Sequence, residues 1–105
     1  MKVTITKSAE ESLEEIYLYK CEYSIKYADE LLDKIYNFAI KNLSEFPELG
    51  RVYNKKKGLY RLVFSEGYNI YYTINGDDVF ILYIIDGSIS LNERLEDPNV
   101  TLPNN

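Results

Sequence analysis

Residues 2 to 6 alternate apolar Val3 and Ile5 with polar Lys2, Thr4 and Thr6, the period-two pattern of a short, half-buried strand. The period then changes. Ala9, Leu13, Ile16, Tyr17 and Cys21 recur at helical spacing, with Glu10, Glu11, Glu14 and Glu15 directed to solvent. Ser8 followed by Glu11 has the capping-box spacing and predicts the start of this helix, which ends near Glu22 or Tyr23. Ser24 can cap a second, longer helix on which Ala28, Leu31, Leu32, Ile35, Phe38, Ala39, Asn42 and Leu43 form one stripe, ending near Ser44. Phe46, Pro47, Glu48, Leu49 and Gly50 stop it, because proline cannot continue a helix and glycine permits a turn.

The second half of the chain reads in strands. Gly58 to Ser65 places Leu59, Arg61 and Val63 on one face and Tyr60, Leu62 and Phe64 on the other. Tyr68 to Ile74 follows with Tyr68, Ile70, Tyr72 and Ile74 on one face, and these two segments should form a hairpin. Asn75-Gly76 is a strong hairpin-turn signal, after which Asp78 to Asp86 forms a third strand, apolar on both faces and expected at the centre of the sheet. Gly87 to Asp97 is open between loop and short C-terminal helix, and Pro98 to Asn105 reads as a frayed tail. The expectation is a single α+β domain over residues 1–97, ordered β-α-α-β-β-β. A twisted, mainly antiparallel sheet would carry the helical hairpin on one face through Leu13, Ile16, Leu31, Leu32, Ile35 and Phe38, leaving its other face for solvent or a partner.

Composition removes several function classes. A chain of 105 residues holds one core, and the longest unbroken apolar run, Val79 to Ile85, is far short of the roughly 18 residues a spanning helix requires. The N-terminus lacks a signal-peptide pattern, so a cytoplasmic chain is expected. With no histidine, a zinc site or a histidine-based hydrolase is excluded; no metal or cofactor is expected, and Asp77 and Asp78 read as turn residues. Cys21 is the single cysteine and reads as a small buried hydrophobe. The eleven tyrosines read mainly as core and cross-strand packing rather than base-stacking groups.

Charge is uneven. The net charge is −5, yet Arg51, Lys55, Lys56, Lys57 and Arg61 lie within one stretch that contains no acid. That strip can meet phosphate or an acidic peptide, and the alternative is an ordinary solvated loop with the three lysines at its tip. Arg61 carries more weight, because a charge on a strand face between Leu59 and Val63 is seldom buried unpaired.

Five segments together resemble one family. They are Ser8-Ala9-Glu10-Glu11-Ser12-Leu13-Glu14-Glu15-Ile16-Tyr17, Phe46-Pro47-Glu48-Leu49-Gly50-Arg51, Leu59-Tyr60-Arg61-Leu62-Val63, Tyr68-Asn69-Ile70-Tyr71-Tyr72 and Ile81-Leu82-Tyr83-Ile84-Ile85-Asp86-Gly87. In that order the chain is similar, over roughly Met1 to Arg94, to the RelE/ParE toxin superfamily, and specifically to its ParE-like, plasmid-stabilization branch. The resemblance implies a toxin of a type II toxin–antitoxin system, neutralised by a cognate antitoxin whose C-terminal segment wraps it. For ParE-like members it implies DNA gyrase as target, and for RelE-like members messenger RNA on the ribosome. The departures speak against the second. Asn69 stands where the family commonly has arginine, Asp86 where a histidine often precedes the glycine, and Ser88 and Ile89 where basic residues often follow it. A carboxylate at Asp86 repels phosphate, and Arg61 alone, the one matching catalytic candidate, cannot supply both charge stabilisation and proton transfer. The reading is a toxin acting by protein binding. Arg51, Lys55, Lys56, Lys57, Arg61 and Arg94 are its candidate partner-binding residues. A ribosome-dependent ribonuclease and a non-toxic, antitoxin-binding relative are the alternatives.

Overall fold

The computed structural model describes residues 1–89 and Leu91. The chain folds as β1 (Lys2–Ile5), α1 (Lys7–Cys21), α2 (Ile25–Glu45), β2 (Arg51–Asn54), β3 (Leu59–Phe64), β4 (Tyr68–Asn75) and β5 (Asp78–Asp86). Arg94, most of the 87–97 segment and the 98–105 tail lie outside the described residues. The α+β class and the helical hairpin are as the pattern predicts, with one addition. Arg51–Asn54, the start of the basic strip, is a fifth strand.

The sheet order is β1-β5-β4-β3-β2, so β5 is interior but β4 holds the centre. All neighbours are antiparallel except β1, which pairs in parallel with β5, Lys2 opposite Asp78 through Ile5 opposite Ile81. The hairpin turn at Asn75-Gly76 forms as expected, with Gly76 at φ 62°.

Helix α1 starts earlier than the capping-box spacing predicts. Thr6 is the N-cap, its side chain accepting from the Ala9 amide, because the Ser8 hydroxyl is drawn 2.8 Å onto the Leu82 carbonyl instead. Ser24 caps α2 as predicted, accepting from the Tyr27 amide at 3.1 Å. The α2 stripe also holds: Ala28, Leu31, Ile35, Ala39 and Leu43 are buried, with Leu32 and Phe38 partly so. Cys21 is only half-buried, a departure from the core expectation. It lies where α1 gives way to the turn, beside Tyr17, whose hydroxyl is pushed up to about 12 by hydrogen bonding to Asp29 and Cys21.

The helices cover Leu62, Phe64, Tyr68, Ile70, Tyr72, Val79, Ile81 and Ile84. A bulge makes the last two face the same way. Tyr71 pairs with Tyr83 and Tyr72 with Ile81, so Leu82 is an extra residue and the alternation of β5 changes phase there. Leu82, Tyr83 and Ile85 therefore join Leu59, Tyr71 and Leu91 on the opposite face, with Tyr53 and Phe80 packed against them. That face carries its own buried cluster rather than being wholly open, and Leu91 brings the chain beyond Gly87 back against it.

Beyond Ile81 the β5 edge has no strand partner from β1, and α1 supplies polar groups in its place. Thr6 donates through both its amide and its hydroxyl to the Ile81 carbonyl, at 3.1 and 2.7 Å. Ser12 accepts from the Ile84 amide at 3.0 Å and donates to the Ala9 carbonyl at 2.8 Å. Ser12 is buried, and both bonds meet the requirement that a polar group removed from water be paired.

Candidate partner-binding surface

The Phe46-to-Arg51 segment has a structural reason for its glycine. The Gly50 amide donates to the hydroxyl of Tyr72 at 2.9 Å, and that ring is wholly buried and stacked on Tyr60 at 5.3 Å between centroids. A Cβ at position 50 would lie 2.7 Å from that hydroxyl and 2.8 Å from the Arg61 carbonyl oxygen, closer than any side chain tolerates. The loop thus delivers β2 tightly onto β3.

That delivery places Arg51 directly across from Arg61 in the antiparallel register. Val52 pairs with Tyr60 and Asn54 with Leu59, so Tyr53 is the extra residue of a bulge. Its ring packs edge-on against Tyr71 at 5.0 Å, and the Arg61 guanidinium lies 5.7 Å over the same ring. Burial pushes the Tyr71 hydroxyl up, with Asn69 and Arg61 beside it pulling the other way. Arg61 is half-buried and Arg51 exposed, and among the described residues no carboxylate pairs with either.

Lys55, Lys56 and Lys57 form the tip of the β2–β3 turn and are all exposed. Asn54 accepts from the Lys57 amide at 3.1 Å, and Gly58 takes φ 62° to close the turn. Five of the six basic candidates are therefore gathered at one corner of the sheet, two set side by side and three on a turn. Arg94 lies outside the described residues.

A second concavity was not foreseen. A cavity of about 420 Å³ opens between α1 and the C-terminal end of β5, lined by Ile16, Ile84, Ile85 and Ile89 together with Glu15, Tyr19, Lys20, Tyr68 and Asp86. Its neighbourhood corrects the reading of the tyrosines: Tyr19, Tyr23, Tyr27 and Tyr36 are exposed on the helical hairpin rather than packed. The sequence carried part of the signal: Leu18 lies opposite the buried stripe of α1, whereas Tyr19 shares the side of Ser12 and Ile16 near the helix end and Tyr23 lies beyond its last residue, Cys21. Lys20 lies over the rings of Tyr19 and Tyr27 at 5.5 and 6.0 Å. One carboxylate oxygen of Asp86 accepts from both the amide and the hydroxyl of Ser88, at 2.8 and 2.7 Å, which lowers its pKa, with Lys20 adding to the effect. Asp86 is therefore a fixed anion.

No group of three or more potential metal ligands occurs among the described residues, and no helix there is long and apolar enough to cross a membrane.

The chain is similar to known proteins across nearly its whole length. Toxin ParE3 of Caulobacter vibrioides is 30% identical over 95 residues, covering 90% of this chain and 94% of that protein. Among solved structures, the chromosomal ParDE system of Pseudomonas aeruginosa aligns with TM-score 0.72 at 19% identity, over 82% of this chain and 95% of the other. The RelBE2 toxin–antitoxin complex of Mycobacterium tuberculosis aligns with TM-score 0.63 at 20% identity, over 81% and 95% respectively. These two share the fold. The family model for the ParE toxin of type II toxin–antitoxin systems matches residues 3–91. On that match, and on the relative of equal extent, the chain belongs to the ParE toxin family.

Proposed function

We propose that this chain is the toxin of a type II toxin–antitoxin pair, acting in the cytoplasm by binding protein, with DNA gyrase as its target and a cognate antitoxin as its neutralising partner. The observation that carries the reading is the register of β2 on β3. Two arginines paired across neighbouring strands bring like charges together at a cost, and among the described residues neither has a carboxylate to offset it. An incoming acidic segment relieves it. Arginine suits this contact, since its planar fork meets a carboxylate through two bonds, and the Tyr53 ring restricts how Arg61 moves. The chemistry beside Arg61 supports binding over ribonuclease action: burial pushes the neighbouring Tyr71 hydroxyl up, further from the near-neutral range of a general base. The neighbours in Pseudomonas aeruginosa and Mycobacterium tuberculosis come from toxin–antitoxin systems, which supports an antitoxin partner here.

Calorimetric titration with a cognate antitoxin tests the surface. Arg61→Glu should weaken binding more than Lys56→Glu, because Lys56 sits on an exposed turn tip where charge is screened. Equal affinities for wild type and Arg61→Glu would defeat the assignment. The target is tested separately: purified protein should block gyrase supercoiling, and unchanged supercoiling at high molar excess would reject gyrase.

A further inference from the structure

We propose that the cavity between α1 and the end of β5 is a ligand site for a free α-amino acid with an apolar side chain. Its volume of about 420 Å³ falls within the range of small-molecule pockets, and Ile16, Ile84, Ile85 and Ile89 give it an apolar wall. Tyr68, Lys20 and Asp86 bring three polar groups to the same space, whereas Ser12 and Glu15 line it but are engaged elsewhere. Tyr68 is only 6% exposed, yet its hydroxyl makes no hydrogen bond among the described residues. No fully enclosed side-chain oxygen or nitrogen among those residues lacks a partner, so this oxygen keeps access to open space, which the cavity supplies. A hydroxyl so far removed from bulk water gains from a ligand partner.

The two charges select the ligand. Lys20 rests over the rings of Tyr19 and Tyr27 and forms no ion pair among the described residues. Asp86 uses one carboxylate oxygen, Oδ1, for both Ser88 bonds, which leaves Oδ2 without a hydrogen bond among these residues. The opposite charges therefore line one cavity without pairing, although Lys20 is near enough to favour the Asp86 anion. A ligand with a single charge meets one of them well and the other badly: a plain carboxylate is repelled by Asp86 and a plain amine by Lys20. The head of an amino acid carries both charges in one compact group and bridges the gap. Its carboxylate accepts from Lys20 and from the Tyr68 hydroxyl, its ammonium donates to Asp86, and its side chain lies on the isoleucines. The cavity shares no residue with Arg51, Arg61 or the lysine turn, so this site is separate from the arginine surface.

The test titrates the full chain with leucine and with phenylalanine, followed by calorimetry and by backbone amide resonances. Isocaproate and isoamylamine, which are leucine without its ammonium and without its carboxylate, are the controls, and glycine supplies the head group alone. At least one of the two amino acids should bind and shift the resonances of Ile16, Lys20, Tyr68 and Ile84 to Ile89. Each single-charge control should bind at least about tenfold more weakly than leucine, and glycine should not bind at the same concentrations. Tyr68→Phe keeps the ring and should weaken leucine binding roughly two- to tenfold. Asp86→Asn keeps an acceptor for Ser88 and should remove the advantage of leucine over isocaproate, while Lys20→Gln should remove its advantage over isoamylamine. Arg61→Glu should leave leucine binding unchanged. No binding of either amino acid at high millimolar concentration, equal binding of leucine and its single-charge controls, or resonance shifts confined to another face would each overturn the proposal.

Discussion

A methyl group at position 50 would meet the Tyr72 hydroxyl at 2.7 Å and the Arg61 carbonyl at 2.8 Å, and neither can retreat, since one is on a buried ring and the other on a sheet backbone. Gly50→Ala must therefore push β2 away from β3. A loss of about 1 to 3 kcal/mol is expected from such overpacking, read as a lower urea midpoint, together with weaker antitoxin binding because Arg51 leaves its place opposite Arg61. Ser12 shows the reverse case, a small polar group whose removal leaves a void of bonding rather than a clash. Ser12→Ala strips the Ile84 amide of its partner in the buried interior and should cost about 1 to 3 kcal/mol. Ser44→Ala removes an exposed hydroxyl bonded only to the Lys41 carbonyl and should change stability by less than about 0.5 kcal/mol. Equal denaturation midpoints for the two serine variants would contradict this account.

At the level of the elements, α2 is the easiest to read, because its apolar stripe runs unbroken at one period and its cap is a serine with no competing partner. Ile35 is wholly buried whereas Leu32 is only partly so. Ile35→Ala should therefore cost about 2 to 5 kcal/mol and Leu32→Ala clearly less, measured by chemical denaturation of each variant. Helix α1 was legible in its length but not in its cap, since the attraction of Ser8 to the Leu82 carbonyl depends on a strand more than seventy positions away in the chain. Strand β2 was illegible for a related reason: four residues with an arginine, a bulge and one exposed valine hold no period of their own, and their extended form comes from pairing with β3. Arg61 could be recognised as a strand-face cation, but its pairing with Arg51 could not be seen without that strand. The phase change at Leu82 was hidden in a run that is apolar on both faces, where alternation leaves no trace.

Over the whole molecule, the composition sets an unusual dependence on pH. No histidine is present, so no side chain with an ordinary pKa titrates between about pH 5.5 and 7.5, and stability should be flat there. Burial raises the pKa of Tyr68, Tyr71 and Tyr72, which means that the folded chain holds these protons more tightly than the unfolded chain does. Their contribution is complete below the unfolded value of about 10 and is lost as pH climbs through the raised folded values. Alkaline unfolding should coincide with a late rise in tyrosinate absorbance, and a rise that precedes loss of the fold would show these hydroxyls to be accessible. The parallel pairing of β1 with β5 reaches further, into the birth of the protein. Strand β1 must wait for β5 before its backbone is matched, with the helical hairpin and three strands synthesised between them. A nascent chain interrupted before Asp78 has no mate for β1, so that strand stays unmatched, and open to proteolysis, until β5 has been made.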